Sequence, residues 1–287
     1  MNSVSAVATI STDIRRDRQD AVIAGKSGAW EKMESRNIAI EPLGQTGYRF
    51  RFAGLTVYID PYLSNSVQEL EDPGMERLVP VPVSGNEITD ADYLFITHVH
   101  RDHCDAETIL AISGASTCKL AGPGPVCNRL REIGIENERI IQAGKSPITL
   151  ARDLVVHPVP AAHPEIEETG DGGWFAIGYV FEYRGYRLYH AGDTSLRDEV
   201  IDAVRAVGDI DKAFLPVNER NFYKDKRGII GNMTIREAFY MAEAINARTL
   251  VPTHWDMFAI NRVFPEEIEL VYNRLEPGFE LEIMPCG

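Results

Sequence analysis

The chain of 287 residues contains only seven histidines, and three of them fall within Thr97-His-Val-His-Arg-Asp-His-Cys-Asp105. The spacing is H-x-H-x-D-H, at His98, His100, Asp102 and His103. Histidines two apart at a strand end can project toward one ion, and Asp102 with His103, further round the turn, can reach a second. At this chain's His and Asp frequencies the pattern arises by chance in roughly 1 in 4,000 sequences, so we read a metal-binding loop.

An open two-ion site needs more ligands, and the remaining histidines and aspartates are placed to supply them. His163 ends the run that starts at Val155, Asp193 lies in Tyr189-His-Ala-Gly-Asp-Thr194, and His254 follows Leu250-Val-Pro-Thr253. Each stands at the end of a predicted strand. Ligands converging from separate strand ends are how a rigid scaffold presents a metal site. His157 is read as structural.

The elements that must position these residues follow from local patterning. Tyr48, Phe50 and Phe52 alternate, Gly54 turns the chain, and Leu55, Val57 and Ile59 alternate up to Asp60, which predicts a β-hairpin with one buried face. Residues 62–89, with Pro73, Pro80 and Pro82, read as a long loop and a candidate substrate-gating flap. Residues 93–97 form a short apolar strand running into the histidines, and Asp105 caps a helix over 106–113. A strand near 119–121, a helix around 127–133, and strands near Ile140, Ile148 and Val155 follow. A second hairpin spans 174–183 and 186–190. The pattern then becomes helix (195–207), strand (213–217), loop, helix (234–246) and strand (249–252), with Thr234 and Glu237 as a capping box. Hairpins followed by helix–strand alternation, with no linker, predict one layered domain over 37–287 and a tail or helix over 1–36.

Composition narrows the function. Hydrophobic residues make up 44% and charged residues 25%, which suits a core-forming domain and excludes a disordered chain. Lys plus Arg number 29 against 43 Asp plus Glu, a formal net charge of −14 that argues against tight binding to long nucleic acid. The four cysteines form no CxxC pair and read as free thiols in a reducing compartment. The N-terminus shows no signal peptide, and no apolar run approaches the ~20 residues of a membrane span, so the expected location is cytoplasmic.

The order H-x-H-x-D-H, lone His, Gly-Asp-Thr, late His resembles the metallo-β-lactamase superfamily over roughly residues 37–284. That resemblance implies an α/β fold, a four-layer αββα sandwich, with a dinuclear centre at one edge. His98, His100 and His163 would hold metal one, and Asp102, His103 and His254 metal two, with Asp193 bridging. Asp60, in Tyr58-Ile-Asp-Pro-Tyr62, matches the family's early aspartate, which supports the histidine loop from behind. The family's histidine at the His190 position is not a ligand. Arg227-Gly-Ile before Met233-Thr234, and Glu243–Arg248 leading to Pro252-Thr-His-Trp-Asp256, are similar to the L-ascorbate-6-phosphate lactonase group. His163-Pro-Glu is more like the general superfamily.

The chemistry expected is hydrolysis. A divalent ion with an open position lowers the pKa of bound water to about 7, giving metal-bound hydroxide at neutral pH, with Asp193 or Asp102 shuttling a proton. Five imidazoles and two carboxylates suit Zn²⁺, with Mn²⁺ or Fe²⁺ as alternatives. The expected substrate is a small, phosphorylated lactone or ester; a small anion would meet Lys226 or Arg227 in the basic loop, near Asn218 and Asp256 at the strand ends. The alternatives are a phosphodiesterase acting on a cyclic or short nucleotide, and a non-enzymatic metal-binding regulatory protein. No membrane or long nucleic-acid partner is expected; self-association into a homo-oligomer is compatible with the superfamily.

Overall fold

The alternation of Tyr48, Phe50 and Phe52 against Val57 and Ile59 does build a hairpin, β2 (Gly47–Phe52) against β3 (Leu55–Ile59), with Phe50 opposite Val57. It sits inside a larger sheet. The computed structural model describes residues 38–286, so the tail or helix expected over 1–36 lies outside the described residues. The first sheet has six strands in chain order: β1 (Ala39–Gly44), β2, β3, β4 (Tyr93–Phe95), β5 (Lys119–Gly122) and β6 (Ile140–Gln142). The second has seven: β7 (Ile148–Ala151), β8 (Leu154–Pro160), β9 (Ile177–Tyr183), β10 (Tyr186–His190), β11 (Lys212–Pro216), β12 (Thr249–Thr253) and β13 (Glu280–Leu281).

Each sheet is antiparallel in its first part and parallel in its second. β1–β2–β3 pair antiparallel and β3–β4–β5–β6 parallel. Likewise β7 to β10 pair antiparallel and β10 to β13 parallel. Parallel strands need crossovers, which helices supply. These are α2 (Ala106–Ala115) and α3 (Gly124–Glu132) on the first sheet, and α4 (Asp198–Val207), α6 (Ile235–Ala244) and α7 (Pro265–Leu275) on the second. Two short helices, α1 (Ser66–Leu70) and α5 (Phe222–Lys226), interrupt loops.

Period-two alternation divides each central strand between two cores. Phe95 on β4, Phe181 on β9, Phe214 on β11 and Val251 on β12 face into the space between the sheets, where they meet Phe50 and Tyr179. The rings there pack edge-on or tilted, Phe95 5.2 Å from Phe181 and Phe50 5.3 Å from Phe214. Such pairs contribute about 0.5–1.5 kcal/mol each beyond their buried area. Leu94 and Ile96 face outward onto Ile112, Val126 and Leu130. Leu215 and Leu250 face outward onto Val204, Met241 and Ala242. The layers are therefore helix, sheet, sheet, helix, as expected.

Several boundaries differ from the sequence reading. The helix expected at 127 starts at Gly124, because Pro125 occupies its first turn, where the missing N–H costs nothing. The helix expected from 195 starts at Asp198, because Ser195 donates its backbone N–H to the Ala162 carbonyl at 2.6 Å instead. The capping box at Thr234 and Glu237 is present. The strand β1 and the helices α5 and α7 were not anticipated, and the 62–89 loop contains α1 and a 3₁₀ turn at Gly85–Glu87. The four cysteines are unbridged. Among the described residues no helix is long and apolar enough to cross a membrane.

Candidate metal centre

The pairing directions place the carboxyl ends of β1, β3, β4, β8, β10, β11 and β12 along one edge of the sandwich. Asp60 follows β3, Thr97 to His103 follow β4, His163 follows β8, Asp193 follows β10, Asn218 follows β11 and His254 ends β12. Six separate chain segments are thereby delivered to one line by strand geometry.

Asp60 is the buried anchor. Its φ is +42°, and its backbone N–H reaches the Phe95 carbonyl at 3.0 Å. Its carboxylate accepts the Thr97 N–H at 2.8 Å and the Thr97 hydroxyl at 2.6 Å. It also takes His103 Nδ1 at 2.8 Å, so His103 carries its proton on Nδ1 and turns Nε2 inward. The loop between Thr97 and α2 is tightened from the other end. Asp105 caps α2 by accepting the Thr108 N–H at 3.1 Å, and takes the Ser66 hydroxyl at 2.8 Å. Gly192, in the Gly-Asp-Thr turn, has φ +60° and lies so close to Thr97 that a Cβ there would be 2.8 Å from the threonine side chain.

The inward atoms form two groups. His100 Nδ1 lies 3.1 Å from His98 Nε2 and 3.1 Å from His163 Nε2. In the second group, Asp102 Oδ2 lies 3.4 Å from His254 Nε2 and 3.8 Å from His103 Nε2. Asp193 faces both: Oδ1 is 3.3 Å from His103 Nε2, and Oδ2 is 3.6 Å from His163 Nε2 and 3.4 Å from His254 Nε2. The trios His98–His100–His163 and Asp102–His103–His254 each bring three donor atoms close enough to meet one ion. A third set, His98–His103–Asp193, lies equally close, so the donor atoms of the two trios are contiguous.

The electrostatics favour cations. Burial opposes the charge on His103, yet Asp193, Asp102 and Asp60 raise its pKa well above the usual value. His254 is pushed up to about 9 against the cost of burial, by Asp193 and Asp102. Asp193 is held far below the carboxylate range by His254 and His103, although it too is buried. In the other trio, burial pushes His163 down to about 4 and His98 well below the usual range, leaving neutral imidazoles. His103 Nε2 and Asp193 Oδ1 are buried without a hydrogen-bond partner. A buried and a half-buried carboxylate, the neutral imidazoles of His98 and His163, and unsatisfied inward atoms are the donor chemistry that a pair of divalent ions fits.

The other predicted residues are found in differing roles. His190 Nε2 lies 2.8 Å from the Thr46 carbonyl, and His157 faces Glu182 at 3.4 Å, so both stand outside the trios. Asp256 accepts the Gln45 N–H at 3.0 Å. Asn218 is buried and accepts from Asn232 at 3.0 Å. Lys226 is exposed, with its ammonium over the Phe222 ring. Arg227 lines a cleft of about 580 Å³ together with Asp72, Met75, Asn221, Tyr223 and Ile260. That cleft is walled by the 62–89 loop and by the segments following β11 and β12.

Gln45, Thr46, Thr97 and Lys224 were not singled out beforehand. Lys224 is 1% exposed; its ammonium donates to the Asn218 and Glu219 carbonyls and so ties the loop to the end of β11. Gln45 lies in the turn Gly44-Gln-Thr-Gly47, and two glycines bracketing a polar pair between apolar runs were the available signal.

Residues 56–255 match the family described as Beta-lactamase superfamily domain. A UPF0173 metal-dependent hydrolase from Caldivirga maquilingensis is 26% identical over 245 residues, covering 85% of this chain and 94% of the relative. Another of that name, from Pyrococcus abyssi, is 29% identical over 239 residues, covering 79% of this chain and 92% of the relative. Among solved structures, Igni18, a metallo hydrolase from Ignicoccus hospitalis, aligns with TM-score 0.63 at 23% identity, over 87% of this chain and 96% of its own.

Proposed function

The chain belongs to the metallo-β-lactamase superfamily and is a metal-dependent hydrolase; within that class, we propose that it opens a small anionic lactone or ester at a two-ion centre. The observation that carries this reading is Asp193, whose two carboxylate oxygens face His103 on one side and His163 and His254 on the other. A carboxylate so placed suits a bridge between two ions. His98, His100 and His163 would hold one of them, and Asp102, His103 and His254 the other.

Bound divalent ions would supply an acidified water and a Lewis acid for the substrate's carbonyl or phosphoryl oxygen. The chain's own residues do the rest. Asp60 keeps the His103 proton on Nδ1 and the ring aimed inward. Asp102 turns Oδ2 toward His254 at 3.4 Å and His103 at 3.8 Å, the side on which it would hold an ion, so Oδ1 is the oxygen left to take up a proton during turnover. Zn²⁺ suits the imidazole-rich trio, and Mn²⁺ or Fe²⁺ the carboxylate-rich one. The cleft of about 580 Å³ that Arg227 lines with Asp72 shares no residue with either trio; we assign its arginine to the anionic end of a small substrate. The negative net charge and the unbridged cysteines support a cytoplasmic enzyme that does not act on long nucleic acid.

Elemental analysis and a substrate panel test the reading together. We expect close to two metals per chain, and turnover of simple and phosphorylated lactones that is lost on chelation. Asp193→Ala should abolish turnover while the far-UV circular dichroism is retained. Hydrolysis of bis-p-nitrophenyl phosphate alone would favour a phosphodiesterase acting on a cyclic or short nucleotide. Full turnover after metal stripping would overturn the mechanism.

A further inference from the structure

Gln45 sits at the end of β1 with φ +58°, in the left-handed region that a side chain normally avoids. Its backbone is fastened on both sides to the end of β12. The N–H donates to Asp256 Oδ1 at 3.0 Å, and the carbonyl accepts the His254 N–H at 2.9 Å. His254 is itself at φ +62°. Two non-glycine residues in unfavourable conformations, hydrogen-bonded to each other beside a cluster of donor atoms, are what a functional constraint produces.

The side chain carries the argument further. Gln45 is 3% exposed, and one end of its amide reaches into the second trio. That end lies 2.7 Å from Asp102 Oδ2 and 3.0 Å from His254 Nε2. Those are the two atoms through which Asp102 and His254 would hold an ion. The amide's other end, Oε1, is buried with no partner. With its amino end inward, the amide donates to a carboxylate and leaves a carbonyl unsatisfied; a cation in the trio reverses that preference. The two ends of a primary amide are close to the same size, so exchanging them needs no repacking. The carbonyl oxygen then faces the cation, and the amino group leaves it.

We propose that Gln45 is a further ligand of the second ion, through its side-chain carbonyl oxygen. This rests on the two-ion reading given above. It makes the two positions chemically unequal. The first has three imidazoles with Asp193; the second has two imidazoles with oxygens from Asp102, Asp193 and Gln45. Carbonyl and carboxylate oxygens favour Mn²⁺ and other hard ions, whereas imidazoles suit Zn²⁺. The second position is therefore the Mn²⁺-selective one.

Titration of the metal-free full-length protein with Mn²⁺ and with Zn²⁺, followed by calorimetry and by Mn²⁺ electron paramagnetic resonance, tests this without any assay of turnover. Gln45→Met keeps the length and removes the oxygen. It should weaken Mn²⁺ binding at one position by 10–100-fold and leave Zn²⁺ binding at the other unchanged. Gln45→Glu keeps an oxygen and removes the N–H donor. It should hold Mn²⁺ at least as tightly as wild type, and it provides the test if the methionine variant does not fold. Wild-type affinity in Gln45→Met would overturn the proposal. So would equal weakening in both variants, since that assigns Gln45 to donating to Asp102. A wild-type protein that binds fewer than two ions overturns the two-ion reading itself, and the inference with it.

Discussion

Asp60 and His103 meet in a 2.8 Å hydrogen bond at which neither side chain is exposed. No solvent can replace that contact, so the direction in which His103 presents its second nitrogen is decided by one carboxylate. Thr97 completes the arrangement by donating twice to the same Asp60. The histidine loop is thus aimed from behind by a residue 43 positions earlier in the chain.

Replacing Asp60 with Asn tests this aiming. An asparagine can present either its carbonyl or its amino group to His103, and the N–H and hydroxyl of Thr97 still need an acceptor. We expect metal affinity at the second position to fall 10–100-fold, with a proportionate loss of kcat/KM. Competition against a chromophoric chelator and the thermal midpoint measured side by side separate a loss of aim from a loss of fold.

Arg227 is the cationic wall of the cleft, and no carboxylate pairs with it among the described residues. Arg227→Ala should raise KM for a phosphorylated lactone about 10–100-fold, the equivalent of a charge-assisted hydrogen bond of about 1.5–3 kcal/mol. The KM for an uncharged lactone should change less than threefold. Equal effects on both substrates would remove Arg227 from anion recognition.

Lys224 predicts a pH dependence. Burial lowers its ammonium to about 8, against the pull of Glu219 and Asp193 in the opposite direction. Between about pH 8 and the ordinary lysine range, the unfolded chain keeps this proton and the folded chain has shed it. The unfolded state then binds more protons, so stability rises with pH. Relative to Lys224→Met, wild type should gain at most about 1.4 kcal/mol per pH unit across that window. Urea unfolding at pH 7.5 and 9.5 measures it, and a flat difference would place the lysine's pKa outside the window.

Gly192 is constrained by both its φ of +60° and its contact with Thr97. Gly54 shares a positive φ, +86°, but has open space around it. Gly54→Ala therefore reports backbone strain alone, and Gly192→Ala adds displacement of Thr97 from Asp60. We expect Gly192→Ala to cost about 2–4 kcal/mol against about 1 kcal/mol for Gly54→Ala. Only the former should weaken metal binding.

The histidine loop could be read from the sequence because its donor residues are rare and adjacent in the chain. His163, Asp193 and His254 could be read because each terminates a patterned strand. The layered fold followed from the same strands, whose alternation marks one face for each core. Gln45 could not be found this way: glutamine in a turn has no chemical signature, and its role comes from β1 ending beside β12. β1 itself was hidden because Pro42, which has no N–H to donate, interrupts its pattern; the sheet tolerates it there because β1 is an edge strand with a register shift after Pro42. Lys224 was hidden in the opposite way, inside a charged stretch that reads as solvated although this one side chain is buried.

Neither trio belongs to one sheet. His98 and His100 follow the first sheet and His163 the second; Asp102 and His103 follow the first and His254 the second. Loading either position therefore draws the two layers together along one edge, as a clasp closes the covers of a book. Away from that edge the layers meet through apolar packing, in which Phe50, Phe95, Phe181 and Phe214 lie among Val156, Leu188 and Val251. Metal occupancy should then set how far the sandwich breathes: amide exchange would slow at the ends of β4, β8 and β12 on loading, and least at β7 and β13, which carry no donor. Chemistry and cohesion share the same atoms, so a chain that loses its ions loses its grip between layers as well as its reaction.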